Sequence, residues 1–334
     1  MAQPWQPAAA LDRNRPSRDK RRPRQRSPKQ LAYRYAILDV FTDRPLAGNA
    51  LAVLPDATGL DDNAMQAIAA EFNLSETVFV FPPANPVHSA AVRIFTPRVE
   101  LPFAGHPTVG TAVFLVSQRM KDKGPGRHEA VVVLEEKVGP VRCGVFVTGG
   151  GSGHAMFDLP RKPESVSAGL DREAIAAALG LTPSEIGFEN HKPSAFSAGS
   201  AYVFVPVRDL DAMARSTPRG AAFTATLGGV THAMYLYCRE TRVAGRQFHA
   251  RCFAPDAGIP EDPATGGAAA AFVGVIHRFD EPTAGSHHYV IEQGIEMGRP
   301  SLIQVEIDIT AGAVAAARVG GDAVVVAEGS LDVG

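Results

Sequence analysis

Phe103-Ala-Gly-His-Pro-Thr-Val-Gly-Thr-Ala-Val-Phe-Leu-Val116 decides how this chain is read. From Val109 onward Thr111 is the one polar side chain, and a helix with no wet face must be enclosed by protein. Glu261-Asp-Pro-Ala-Thr-Gly-Gly-Ala-Ala-Ala270 repeats the arrangement, running into a small-residue, all-apolar helix over 267–276. Two enclosed helices among many short β-rich segments predict a duplicated α+β core, each half a sheet wrapped round one helix. A Pro in a first helical turn lacks an N–H that would be unpaired anyway, and Gly lets a ligand approach the N–H groups left free. Each tract therefore reads as an anion-holding helix start, and His106 and Asp262 bring it a titratable side chain suited to proton transfer. A polar residue before Pro is also an ordinary way to begin a helix. Occurrence at corresponding sites in both halves favours the functional reading.

A chain of 334 residues fits two domains better than one core. The net charge of -2 conceals an asymmetry, because residues 1–30 hold nine Lys/Arg and two Asp. The remainder is acidic, so nucleic acid is not the expected partner of the folded body. The basic arm, residues 1–30, has no apolar periodicity and is expected to be disordered. It reads as a solvated tail or an over-long start, with a nucleic-acid-binding arm as the alternative. The apolar stretch after it is interrupted by Arg34 and Asp39, which speaks against an export signal. No run of 18 apolar residues suggests a membrane span. Cys143, Cys238 and Cys252 are odd in number and lack a C-x-x-C pair, so buried, inert thiols in a reducing cytoplasm are expected, without a structural metal.

Along the chain, 35–41, 50–54, 78–81 and 90–95 read as strands, with a helix capped by Asp61 or Asp62 and ended by Asn73. Ser75 and Glu76 then lie at a helix-to-strand junction, where a carboxylate can face a cleft. Segments 130–147, 154–159, 201–207, 231–238 and 247–254 carry strand character, and 171–179 is an alanine-rich helix. Gly149–Gly153 reads as a hairpin loop rather than a phosphate cradle, since a strand follows it. His287 and His288 read as a loop pair pointing opposite ways, unsuited to sharing a metal.

Asn73-Leu-Ser-Glu-Thr-Val-Phe-Val80, Arg93-Ile-Phe-Thr-Pro97, Glu100-Leu-Pro-Phe-Ala-Gly-His-Pro-Thr-Val-Gly-Thr-Ala112, Glu261-Asp-Pro-Ala-Thr-Gly-Gly-Ala268 and Gln293-Gly-Ile-Glu-Met-Gly-Arg-Pro-Ser301 resemble, in order, the phenazine-biosynthesis isomerase family. The resemblance runs from about residue 33 to 331. It implies a diaminopimelate-epimerase-like fold of two pseudo-symmetric domains, 33–128 (completed by a C-terminal strand, 319–331) and 129–318, with the site between them. It also implies a homodimer, no cofactor and a small carboxylated substrate. By the same resemblance Glu76 shuttles a proton between two carbons, His106 and Asp262 stand beside the substrate, and Ser75, Gly105, Gly266 and Gly267 bind it. One residue departs from the pattern: family members commonly carry Ser where this chain has Gly267, so the N–H survives and the hydroxyl does not. Arg299 is left with two readings, a contact to a substrate anion or a lock between domains. The alternatives to a carboxylate shuttle are a racemase or epimerase with a Cys at each helix start, and a non-catalytic binding protein.

Overall fold

Along Leu31–Val40 the buried side chains Ala36, Leu38 and Val40 recur at every second position, so one face of this strand belongs to the core. The structure, a computed structural model, describes residues 31–124 and 126–333. The basic arm, 1–30, lies outside them. Leu31–Val40 pairs antiparallel with Asn49–Leu54, which runs parallel to Glu76–Phe81 across the helix Asp62–Phe72. Glu76–Phe81 pairs antiparallel with Ala90–Phe95, which runs parallel to His128–Glu136 across the first central helix, Gly105–Met120. Gly139–Gly149 and Ser152–Asp158 continue as an antiparallel meander. Residues 318–333 of the last strand, Ala313–Val333, pair with both Ser152–Asp158 and Leu31–Val40 and close an 8-strand barrel.

The second half repeats the order of pairings. Ser194–Ser197 is antiparallel to Ala201–Pro206, which is parallel to Met234–Cys238, itself antiparallel to Phe248–Ala254. Phe248–Ala254 then runs parallel to Gly285–Gln293 across the second central helix, Gly266–Phe279. Ser301–Thr310 and the first part of Ala313–Val333 follow antiparallel. The duplication expected from two wet-face-free helices is thus visible in the hydrogen-bond ladders. Both helices are enclosed as their composition requires, residues 105–114 and 266–276 being buried throughout.

Two details differ from the sequence reading. The strands between 128 and 158 wrap the first central helix, so the chain crosses to the second half after Asp158 rather than at 129. A hairpin's own alternation says which face is buried, not which helix it covers. His287 and His288 lie within the strand Gly285–Gln293, not on a loop, because the pairing with Ser301–Thr310 runs on to Gly285.

Candidate active site

Four of the site residues are delivered by helix and strand ends. Asp61 accepts from the Ala64 N–H at 2.8 Å to start the helix Asp62–Phe72, and Asn73, at φ 50°, turns the chain out of it. Ser75 and Glu76 follow at once, at the start of a strand held in register beside Asn49–Leu54. His106 is the second residue of the first central helix, and Asp262 stands four residues before the second. The two helix starts abut: a Cβ built on Gly105 would lie 2.5 Å from the Gly266 carbonyl carbon and 2.9 Å from the Gly267 nitrogen. Only glycine permits that approach. Neither start has a side-chain cap or an acidic residue in its first turn, so two positive dipole ends converge on one place.

That place is one end of a cavity of about 310 Å³ lined by Glu76, His106, Asp262, Tyr202, Gly266 and Gly267 at its polar side, and by Val99, Leu101, Phe103, Ala254 and Ile259 elsewhere. Among the described residues no Lys or Arg lines it. An anion placed there would be met by helix N–H groups rather than by a mobile cation.

The two carboxylates differ in how they are satisfied. Asp262 Oδ1 accepts from Asn49 Nδ2 at 2.8 Å and Ser75 Oγ at 2.9 Å, and its Oδ2 accepts from Thr265 Oγ1 at 2.6 Å. Gln293 holds its backbone, donating to the Asp262 carbonyl at 2.7 Å. Glu76 Oε2 lies 3.1 Å from His106 Nδ1 yet has no hydrogen-bond partner among the described residues. Burial, and next the charge of Asp262, push Glu76 well above the ordinary carboxylate range. Burial raises Asp262 too, opposed by the bonds from Thr265, Ser75 and Asn49. Burial also pulls His106 down to about 3, so its imidazole is neutral, and its Nε2 has no partner among the described residues. Glu76 and Asp262 therefore sit in contrasting environments, which is how one site separates an acid from an anion.

Seven of the residues singled out in the sequence meet here: Glu76, His106, Asp262, Ser75, Gly105, Gly266 and Gly267. Arg299 does not. It donates to the Gly48 carbonyl at 2.9 Å, the Ala47 carbonyl at 2.7 Å and Asp39 at 2.5 Å, and so ties the second half to the first. Asn49, Tyr202, Thr265 and Gln293 escaped sequence reading. In the sequence Asn49 merely precedes the strand-like segment 50–54, Tyr202 falls within the strand-like segment 201–207, and Thr265 and Gln293 fall in family-like motifs that give them no role. Cys252 is the one cysteine lining the cavity, but burial lifts its thiol far above its ordinary value. The positions where two-thiol epimerisation would need cysteines hold His106 and Gly266-Gly267. Among the described residues no group of three or more His, Cys, Asp or Glu is gathered to hold a metal, and no helix is long and apolar enough to cross a membrane.

Comparison with known proteins bears on the family and the fold. The sequence pattern of the phenazine biosynthesis-like family matches residues 38–329. An uncharacterized isomerase of Mesorhizobium japonicum is 50% identical over 301 residues, 89% of this chain and 98% of that one. The trans-2,3-dihydro-3-hydroxyanthranilate isomerase of Pseudomonas chlororaphis is 33% identical over 299 residues, 90% and 99% of the two chains. Among solved structures, a phenazine biosynthesis protein of the PhzF family from Bacillus anthracis superimposes with a TM-score of 0.80 at 25% identity, covering 91% of this chain and 100% of that one. The α+β, diaminopimelate-epimerase-like architecture is the one the resemblance implied. The chain belongs to the phenazine biosynthesis-like family, and it is an isomerase of that family.

Proposed function

We propose that this isomerase moves a proton between two carbons of a small, carboxylated, ring-bearing substrate without a cofactor, and that Glu76 carries the proton. The observation behind this reading is the bare, buried Glu76 oxygen at the mouth of two converging helix starts. The first-turn N–H groups from Gly105 and from Gly266 and Gly267 hold the substrate carboxylate. A substrate C–H bond then breaks toward Glu76, its electron pair moves through the adjoining double bond, and Glu76, whose carboxyl proton exchanges with solvent, delivers a proton to a second carbon. Nothing is oxidised or reduced. A carboxyl raised by burial can both take and return a proton near neutral pH, which one residue acting as base and then acid must do. Asp262, held by three donors, stays in place as the fixed negative charge, and neutral His106 orients the acid. The relative from Pseudomonas chlororaphis makes trans-2,3-dihydro-3-hydroxyanthranilate the first compound to try. The same reading takes the protein as a cytoplasmic homodimer, which light scattering at micromolar concentration tests.

Glu76→Gln keeps the shape of the side chain and removes its proton affinity. With that compound as substrate, turnover and solvent-deuterium incorporation are expected to fall at least about a thousandfold. Retention of full deuterium exchange by Glu76→Gln would remove Glu76 from the mechanism. Inactivation by iodoacetamide with protection by substrate would instead bring Cys252 into the chemistry.

A further inference from the structure

Gly267, the second residue of the second central helix, leaves a space that another element fills. A Cβ built on it would lie 2.8 Å from the Tyr202 hydroxyl and 3.6 Å from Tyr202 Cζ. Tyr202 stands on Ala201–Pro206, where its ring leans on Phe204 at 6.3 Å, and it lines the cavity beside Glu76 and Asp262. Phe204 is in register with Tyr235 on the next strand, and the buried Tyr235 hydroxyl has no hydrogen-bond partner. Two phenols therefore flank one ring on the inner face of this sheet, next to the helix start. Tyr202 is half-buried and lines the cavity, with its hydroxyl beside Gly267. A phenol placed beside a helix start can donate to an anion that the helix N–H groups hold.

We propose that the Tyr202 hydroxyl, seated in the space Gly267 leaves open, donates to the same substrate carboxylate that the amides of Gly266 and Gly267 hold, so that residues 202 and 267 form one recognition unit. This rests on the reading that the cavity takes a carboxylated substrate. It assigns the side-chain donor at this helix start to a neighbouring strand, not to the helix itself. Position 267 must then stay small while position 202 carries a hydroxyl. With Phe at 202 the nearest ring atom would be 3.6 Å from a Cβ at 267, an ordinary contact, and a Ser there would fit and return a hydroxyl to the site.

The test uses the full chain, with 2-aminobenzoate as an unreactive carboxylate probe and 2-aminobenzamide as its neutral counterpart, both followed by titration calorimetry. Tyr202→Phe should weaken 2-aminobenzoate about ten- to a hundredfold, the worth of one hydrogen bond to a charged group, and shrink the preference for the carboxylate over the amide. Gly267→Ser alone should also weaken it, because the new side chain meets the Tyr202 hydroxyl. The double variant Tyr202→Phe/Gly267→Ser should bind more tightly than either single one. A Tyr202→Phe affinity within twofold of the parent, a double variant no better than the worse single, or a parent that does not bind the probe saturably would overturn the proposal. Failure of the proton-shuttle reading shows separately, in the deuterium exchange of Glu76→Gln, which does not depend on residue 202.

Discussion

Each central helix is followed by a parallel strand whose last residue reaches back to that helix's start, and the two halves use different chemistry there. In the second half the residue is Gln293, whose amide donates to the Asp262 carbonyl and to Thr265 Oγ1 and accepts from the Thr265 N–H. In the first half it is Glu136, 2.7 Å from Thr108 Oγ1. Thr108 has one hydroxyl hydrogen, and the Ala104 carbonyl, at 2.8 Å, takes it. The contact to Glu136 is then satisfied when Glu136 is the protonated partner. Burial, against the Thr108 bond, raises Glu136 to about 8, which agrees. One helix start is braced by a group that cannot titrate and the other by one that can. The duplicated backbone thus fixes where the brace comes from, while the side chain decides how it responds to pH.

The largest effect expected on this pair of starts comes from closing the gap between them. Gly105→Ala puts a methyl 2.5 Å from the Gly266 carbonyl carbon, where only backbone can move, and should cost about 3 kcal/mol in urea unfolding. Gly266→Ala meets the Phe41 ring at 2.9 Å and Gly105 backbone at 3.0 Å and should cost about 1–2 kcal/mol, since the ring can shift. Equal losses would show that the two starts share the strain. The next effect is on pH dependence. A carboxyl held at about 8 in the folded state and near 4.5 when unfolded makes the native state bind the extra proton between those values. Its contribution is therefore whole below about pH 4.5 and is lost as pH rises toward 8. Glu136→Gln, which gives the first half the brace of the second, should remove on the order of 2–3 kcal/mol of that decline between pH 5 and 8. Parallel stability curves for parent and variant would mean that Glu136 is ionised in place.

How far the sequence carried this depends on where partners lie along the chain. The central helices were legible because 109–116 and 267–276 leave no polar face, and that property needs no knowledge of neighbours. His106 and Asp262 were legible for a related reason, each preceding a Pro in a tract whose Gly residues open a central helix, although Asp262 itself ends the strand Ile259–Asp262 and the helix begins only at Gly266. Asn49 was not, since its meaning lies in a bond to Asp262, 213 residues away, and locally Gly48-Asn49 is only a turn. Tyr202 reads as one more aromatic in an apolar strand until the backbone shows Gly267 opposite its hydroxyl. Glu136 and Gln293 look alike at strand ends, and their equivalence appears only when the order of pairings is laid side by side.

The paired carboxylates sharpen the contrast on a smaller scale. Asp262 is surrounded by Asn49, Ser75 and Thr265 as donors, so Asp262→Asn turns an amide NH2 toward groups that themselves donate and should cost about 2 kcal/mol. Glu76→Gln replaces a carboxyl that burial has raised and whose Oε2 has no partner, and should unfold within about 0.5 kcal/mol of the parent near neutral pH. Chemical denaturation of the two variants side by side checks this. A Glu76→Gln variant that loses as much as Asp262→Asn would place a donor on Glu76 and undo its assignment as the bare acid.

The smallest expected effect tests what keeps the two starts facing each other. Arg299, beyond the strand that carries Gln293, reaches the Gly48 and Ala47 carbonyls and Asp39 on the other half, beside the strand that begins with Asn49. A lysine can keep the charge opposite Asp39 but cannot span both carbonyls with a rigid fork. Arg299→Lys should therefore cost about 1 kcal/mol in stability. The same change should loosen the Asn49 side chain and with it the bond to Asp262, raising KM more than it lowers kcat. If kcat falls and KM holds, Arg299 acts on the chemical step rather than on the register of the halves, and the fixed geometry between Asn49 and Asp262 must come from the abutting glycines alone.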